Sequence, residues 1–156
     1  MSNIKYIEDD LFTAKGFLGH ACNCQGVWGS GVAKQFKERF FTEYLIYNAY
    51  SRLLYSHSEP EIGIFDEDSQ ALGTTFIVNR IVCLFTSLNY GDKVDAPEKI
   101  LENTKNALTD LNLFGVVKEL NIPKINSGLF KVPWEETEKI LLQFPEIQFN
   151  VYTGKN

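Results

Sequence analysis

The sequence predicts an α/β fold, and three observations carry that expectation. Short apolar runs of strand type alternate along the chain with stretches whose apolar residues recur at helical spacing. At 156 residues the chain is one domain long. Its hydrophobic share of 44% against 22% charged residues is enough to fill a core between layers and excludes wholesale disorder.

The elements follow in order. Ile4-Lys5-Tyr6-Ile7 alternates and favours a strand that stops at the acidic run Glu8-Asp9-Asp10. Residues 16–22 are small and apolar, as in a buried strand. Glycines then cluster at Gly26, Gly29 and Gly31, and from Val32 the period turns helical, with Val32, Phe36 and Phe40 four apart. Residues 44–55 read as a second helix. Residues 62–65 and 76–78 are short strands around a polar turn at 66–70, and 81–85 is the most continuous apolar run, expected of a strand covered on both faces. Asp95-Ala96-Pro97-Glu98 predicts a helix start, with Asp95 as cap, Pro97 in the first turn and Glu98 three residues after the cap. That helix runs to about Leu113, with Ile100, Leu101, Ala107, Leu108 and Leu111 inward. Residues 120–125 are strand-like despite Pro123, 134–142 a short helix and 147–152 a last strand.

Composition narrows the function. No apolar run is long enough to span a bilayer, and the N-terminus lacks the basic-then-apolar order of a secretory signal. A net charge of −5 argues against direct nucleic-acid binding, which needs a basic face to displace counterions. Cys22, Cys24 and Cys83 are too few and odd in number for a disulfide framework, so reduced thiols in the cytoplasm or nucleus are expected. A small-molecule partner and a monomer follow as expectations.

Two loops carry the chemistry. The first, Cys22-Asn23-Cys24-Gln25-Gly26-Val27-Trp28-Gly29-Ser30-Gly31-Val32, joins a strand to a helix, so glycine-exposed N–H groups and a helix N-terminus converge on one spot. This is a phosphate cradle that needs no Lys or Arg; the same residues also fit an ordinary tight turn. Three other phosphate chemistries fail. A nucleotide-binding P-loop needs Lys where Val32 stands, a dinucleotide fingerprint from Gly29 needs glycine where Lys34 stands, and a cysteine phosphatase needs Arg where Ser30 follows Cys24. The second loop, Pro123 through Trp134 around Asn126-Ser127-Gly128, repeats the strand–turn–helix logic. His20, Cys22 and Cys24 would share one face if the strand continues that far, but a fourth zinc ligand is missing, so no metal is expected. His57 falls in a polar segment and is expected to face solvent. Asp10 follows a strand, where a carboxylate can accept from an exocyclic amine. Asp92 has no evident structural task, whereas Asp95 has one as a cap.

These segments resemble the macro domain, an ADP-ribose-binding α/β/α module, over nearly the whole chain. The strings His20-Ala21-Cys22-Asn23-Cys24 with Trp28-Gly29-Ser30-Gly31-Val32, and Ile125 through Trp134, are similar to its fungal ADP-ribose 1″-phosphate phosphatase branch. The resemblance implies a three-layer α/β/α sandwich with a central mixed sheet. It also implies metal-independent, cofactor-free hydrolysis of ADP-ribose 1″-phosphate, a metabolite of transfer-RNA splicing, to ADP-ribose and phosphate. Asp9, Asp10 and Leu11 would face the adenine end. Cys22, Asn23, Cys24, Trp28, Gly29, Ser30, Gly31, Val32 and Ala33 would line the first loop. Thr86 would contribute from a strand end, and Ile125, Asn126, Ser127, Gly128, Leu129, Phe130 and Lys131 the second loop. Asn23 would orient the distal ribose, and His20, Asp92 or, third, Asp95 would serve as base. Two other readings stand beside this one: a non-catalytic ADP-ribose reader, and a weak ADP-ribosyl hydrolase. The latter is disfavoured because Phe130 stands where the terminal ADP-ribose glycohydrolase branch has Asp.

Overall fold

The computed structural model describes residues 2–56 and 67–154. Among the described residues eight strands, β1 (Ile4–Ile7), β2 (Phe17–Asn23), β3 (Tyr55–Ser56), β4 (Asp68–Ser69), β5 (Thr75–Val78), β6 (Ile81–Ser87), β7 (Glu119–Ile122) and β8 (Gln148–Tyr152), alternate with four helices. The helices are α1 (Gly31–Arg39), α2 (Phe41–Leu54), α3 (Pro97–Phe114) and α4 (Trp134–Leu141). Six strands form one sheet in the order β1-β8-β7-β2-β6-β5. All its pairings are parallel except β5 against β6, so the sheet is mixed.

β6 shows why the sheet is covered twice. Val82 and Leu84 join the cluster packed under α3 and α4, while Ile81, Cys83 and Phe85 join the cluster under α1 and α2. All five are 0% exposed. An unbroken apolar run can only be satisfied by helices on both faces, and the result is the expected three-layer sandwich. No helix among the described residues is long and apolar enough to cross a membrane.

Several expectations need correcting. Asp95 does not cap α3: the cap is Ala96, whose carbonyl accepts from Lys99 and Ile100. Pro97 pushes the residue before it out of helical conformation, so the boundary falls one residue later than the carboxylate needs. α2 begins at Phe41, with only Phe40 separating it from α1. Asp68–Ser69, expected within a turn, instead pairs antiparallel with Tyr55–Ser56. β7 ends at Ile122 because Pro123 has no N–H to continue the ladder. The strand expected at 62–65, with Asp66 and His57, lies outside the described residues.

Candidate active site: two loops lined by main-chain amides

The chain leaves β2 through α1 and α2 on one face of the sheet to reach β6 on one side. It leaves β6 through α3 on the other face to reach β7 on the other side of β2. This reversal opens a crevice at the C-terminal ends of the parallel strands. The segments following β1, β2, β6 and β7 all emerge there.

Loop 1 (residues 24–30) begins where the β2–β6 register shifts between Cys22 and Asn23. The Asn23 side chain folds back over it: Oδ1 accepts from the N–H of Gln25 at 3.0 Å and of Val27 at 3.3 Å, and Nδ2 donates to the Val27 carbonyl at 2.8 Å. From α2, Tyr47 donates to the Asn23 carbonyl at 2.7 Å, and Asn48 donates to the Gly26 carbonyl at 3.0 Å. Gly26 is required at its position, since its φ is +80° and an added Cβ would sit 2.9 Å from Asn48 Nδ2. Beyond buried Trp28, the N–H groups of Gly29, Ser30, Gly31, Val32 and Ala33 donate to no described residue. They form the open N-terminus of α1, a ready anion site.

Loop 2 (residues 123–133) turns on Asn126, which is 4% exposed and holds φ at +67°. Its Oδ1 accepts from Thr86 Oγ1 at 3.0 Å; its Nδ2 donates to Thr104 Oγ1 at 2.9 Å and Thr137 Oγ1 at 3.4 Å. One side chain therefore ties the loop to β6, α3 and α4. The Lys131 and Val132 N–H groups close onto the Gly128 and Asn126 carbonyls, which leaves those of Gly128, Leu129 and Phe130 without a described acceptor. The loops adjoin: a Cβ on Gly31 would lie 3.7 Å from Leu129.

At the β1 end, Asp10 Oδ1 caps the 3-10 turn Leu11–Thr13 by accepting from Phe12 N–H at 3.0 Å. Asp9 in turn accepts from the Asp10 N–H at 2.7 Å. Leu11 is buried while its N–H donates to no described residue. The segment after β6 is shaped by Asp95, whose carboxylate accepts from Leu88 N–H at 2.8 Å and Asn89 N–H at 3.3 Å.

The candidate bases separate on this geometry. His20 is 0% exposed, stacked on Phe36 at 4.0 Å with Trp28 edge-on at 4.7 Å. A base must reach the proton it takes; the structure makes His20 part of the packing beneath loop 1. Asp95 is spent on holding the 88–89 backbone. Asp92 stands exposed in the turn Gly91–Lys93, with no partner among the described residues. Thr86 is buried and committed to Asn126, and Cys22, Cys24 and Trp28 are buried beneath the loop, so these four side chains shape the site from below. The Trp28 indole N–H is buried without an acceptor among the described residues. Burial pushes the Cys24 thiol up to about 12 and the Cys22 thiol well above its ordinary value.

Among the described residues one group could hold a metal, and it is His20, Cys22 and Cys83, whose ligand atoms lie within 4.8 Å of one another. Cys24 is not in it, because the register shift at Asn23 breaks the every-second-residue pattern. The sequence does not reveal the clamps on Asn23 and Asn126 or the role of Asp95. An Asn before Ser-Gly does signal a left-handed turn, but its three threonine partners come from distant elements.

Fold and site together define a nucleotide-binding α/β/α module built on main-chain amides. The macro domain family profile matches residues 20–141, and the chain belongs to that family. An ADP-ribose 1″-phosphate phosphatase from Candida albicans is 39% identical, over 96% of this chain and 98% of its own. Among solved structures, the macrodomain of Mycobacterium tuberculosis DarG superposes with a TM-score of 0.72 at 20% identity, covering 97% of this chain and 98% of its own. Thermosipho africanus DarTG in complex with ADP-ribose does so at 0.67 and 17% identity, covering 97% of this chain and 42% of its own.

Proposed function

We propose that this chain hydrolyses ADP-ribose 1″-phosphate to ADP-ribose and phosphate. The observation that carries the reading is the pair of adjoining loops whose main-chain N–H groups remain unsatisfied by the protein. Relatives named for this activity, similar over nearly their whole length, support it. The pyrophosphate lies across the amides of residues 29–33 and 128–130, the adenine meets Asp10 and the Leu11 N–H, and the distal ribose sits beside loop 1. Water adds its oxygen to phosphorus as the bond from phosphorus to the 1″ oxygen breaks, and that oxygen takes a proton from solvent as it leaves. Asp92 takes the proton released by the water, being the candidate base that is both exposed and uncommitted. Much of the rate comes from holding both ends of the substrate. The three buried free thiols support action in a reducing compartment, cytoplasm or nucleus.

Phosphate release from ADP-ribose 1″-phosphate tests the reading, alongside calorimetry with ADP-ribose. In Asp92→Asn, turnover should fall by about 100-fold or more with ADP-ribose affinity unchanged. A reader without turnover is the competing assignment, favoured by the sealing of His20 and the commitment of Asp95. ADP-ribose binding with no phosphate release would establish it.

A further inference from the structure

We propose that Gln25 is a positioning residue for the reaction. It ties loop 1 to the turn that carries Asp92, so that the amides facing the diphosphate and the base that activates water are held as one body. This rests on the reading of Asp92 given above.

Residues 87–95 form a loop pinched at its neck. The Ser87 hydroxyl donates to the Asn89 carbonyl at 2.7 Å and accepts from the Asp95 N–H at 3.2 Å. The Asp95 carboxylate closes the same neck through the Leu88 and Asn89 N–H groups. Beyond it, the turn at 90–94 bonds only within itself among the described residues: the Lys93 N–H donates to the Tyr90 carbonyl at 3.3 Å and the Val94 N–H to the Gly91 carbonyl at 3.2 Å. Gly91 holds φ at +64°, and a Cβ there would meet nothing within 4 Å. Asp92 therefore takes its position from the neck and from whatever holds the neck.

Loop 1 holds it. The main-chain ladder between β2 and β6 runs out at the Cys24 N–H, which is shared by the Ser87 and Leu88 carbonyls at 3.1 and 3.3 Å. The next residue continues the connection with its side chain: Gln25 Nε2 donates to the Leu88 carbonyl at 3.1 Å and to Asn89 Oδ1 at 3.0 Å. An amide nitrogen of this kind carries two hydrogens, and both are used. Gln25 is itself fixed, because its backbone N–H is held by Asn23 Oδ1 at 3.0 Å. Asn23, Gln25 and Asn89 thus link the loop of open amides to the turn that carries the base. A base misplaced by about 1 Å can cost about 100-fold. Losing Gln25 relaxes the neck without freeing it, since Ser87 and Asp95 remain, so a smaller loss is expected.

The experiment measures kcat and KM for ADP-ribose 1″-phosphate, and Kd for ADP-ribose, in the full chain. The variants are Gln25→Ala and Gln25→Met, alone and combined with Asp92→Asn. Methionine fills the same space and donates nothing, so it carries the test should Gln25→Ala unfold. Each single variant should lower kcat about tenfold, with KM and the Kd for ADP-ribose within about twofold of wild type. In the Asp92→Asn background the same substitutions should cost less than about twofold, because a residue that acts through Asp92 has nothing left to position. An unchanged kcat in Gln25→Met, a Kd that rises in step with the loss, or a loss of equal size in both backgrounds would overturn the assignment. Full activity in Asp92→Asn would remove the base reading and this one with it. A slow Asp92→Asn on which the Gln25 losses simply add would remove this one alone.

Discussion

Loop 1 and loop 2 offer a ligand the same thing, a row of open amides, and are held in place by opposite means. Loop 1 is gripped from outside: Tyr44, Tyr47 and Asn48 reach from α2 to its carbonyls, while Asn23 bridges it from within. Loop 2 is gripped from inside by one buried amide and three threonine hydroxyls on three other elements. The difference shows that two loops of one chain can present the same kind of surface on quite different anchoring. It also places risk unevenly. Loop 1 spreads its load over several bonds, and loop 2 concentrates it on Asn126.

The sharpest way to break that contrast is Asn126→Ala. It removes three hydrogen bonds and leaves an alanine at φ +67°, so stability should fall by about 3 kcal/mol and phosphate release should nearly vanish. Urea unfolding and a phosphate assay check both. Asn126→Gly accepts the backbone angle freely and should recover about 1 kcal/mol of the loss; equal behaviour of the two variants would refute a strained turn. Asn23→Ala comes next. Tyr47 and Asn48 hold the same segment independently through the Asn23 and Gly26 carbonyls, so the fold should persist with a Tm lower by a few degrees, while phosphate release drops about tenfold or more. Full activity would remove Asn23 from the mechanism.

Tyr47→Phe isolates one tie of loop 1. Losing the donor to the Asn23 carbonyl should cost about 1 kcal/mol and weaken ADP-ribose binding a few-fold by calorimetry. The last contrast concerns pH. Burial, the leading cause, raises the Cys24 thiol from 9.0 to about 12 in the folded chain. The unfolded chain therefore releases its proton first as pH rises. Stability is full below pH 9 and is lost between pH 9 and about 12, by roughly 1 kcal/mol per pH unit at first. Cys24→Ala should flatten the decline of Tm across that window. Loop 2, clamped by amide and hydroxyl groups that do not titrate, contributes no such slope; a decline unaltered by Cys24→Ala would show that the lability arises elsewhere.

Much of the fold was legible because periodicity reports burial directly. The 81–85 run could only be a doubly covered strand, and the Val32-Phe36-Phe40 spacing could only present one apolar stripe. The two loops were legible because glycine and Asn-Ser-Gly announce backbone conformation locally. Asp95 misled because its spacing to Glu98 fits a capping box, and nothing local shows that its carboxylate turns back to residues 88 and 89. His20 misled similarly: histidine chemistry is visible in one letter, but the rings of Phe36 and Trp28 that enclose it are not.

What the sequence determined by itself is the order of strands and helices, the absence of a lysine or arginine inside the glycine turn, and hence a turn that presents main-chain amides rather than cationic side chains. Those properties depend on neighbours within a few residues, where sterics and periodicity act. Only the tertiary structure decided that the two turns meet, that Asn126 is locked by threonines on three other elements, and that Asp92 stays open while His20 is sealed. Such facts depend on which distant residues the packed layers bring within hydrogen-bond or van der Waals range, a distance that no local pattern encodes.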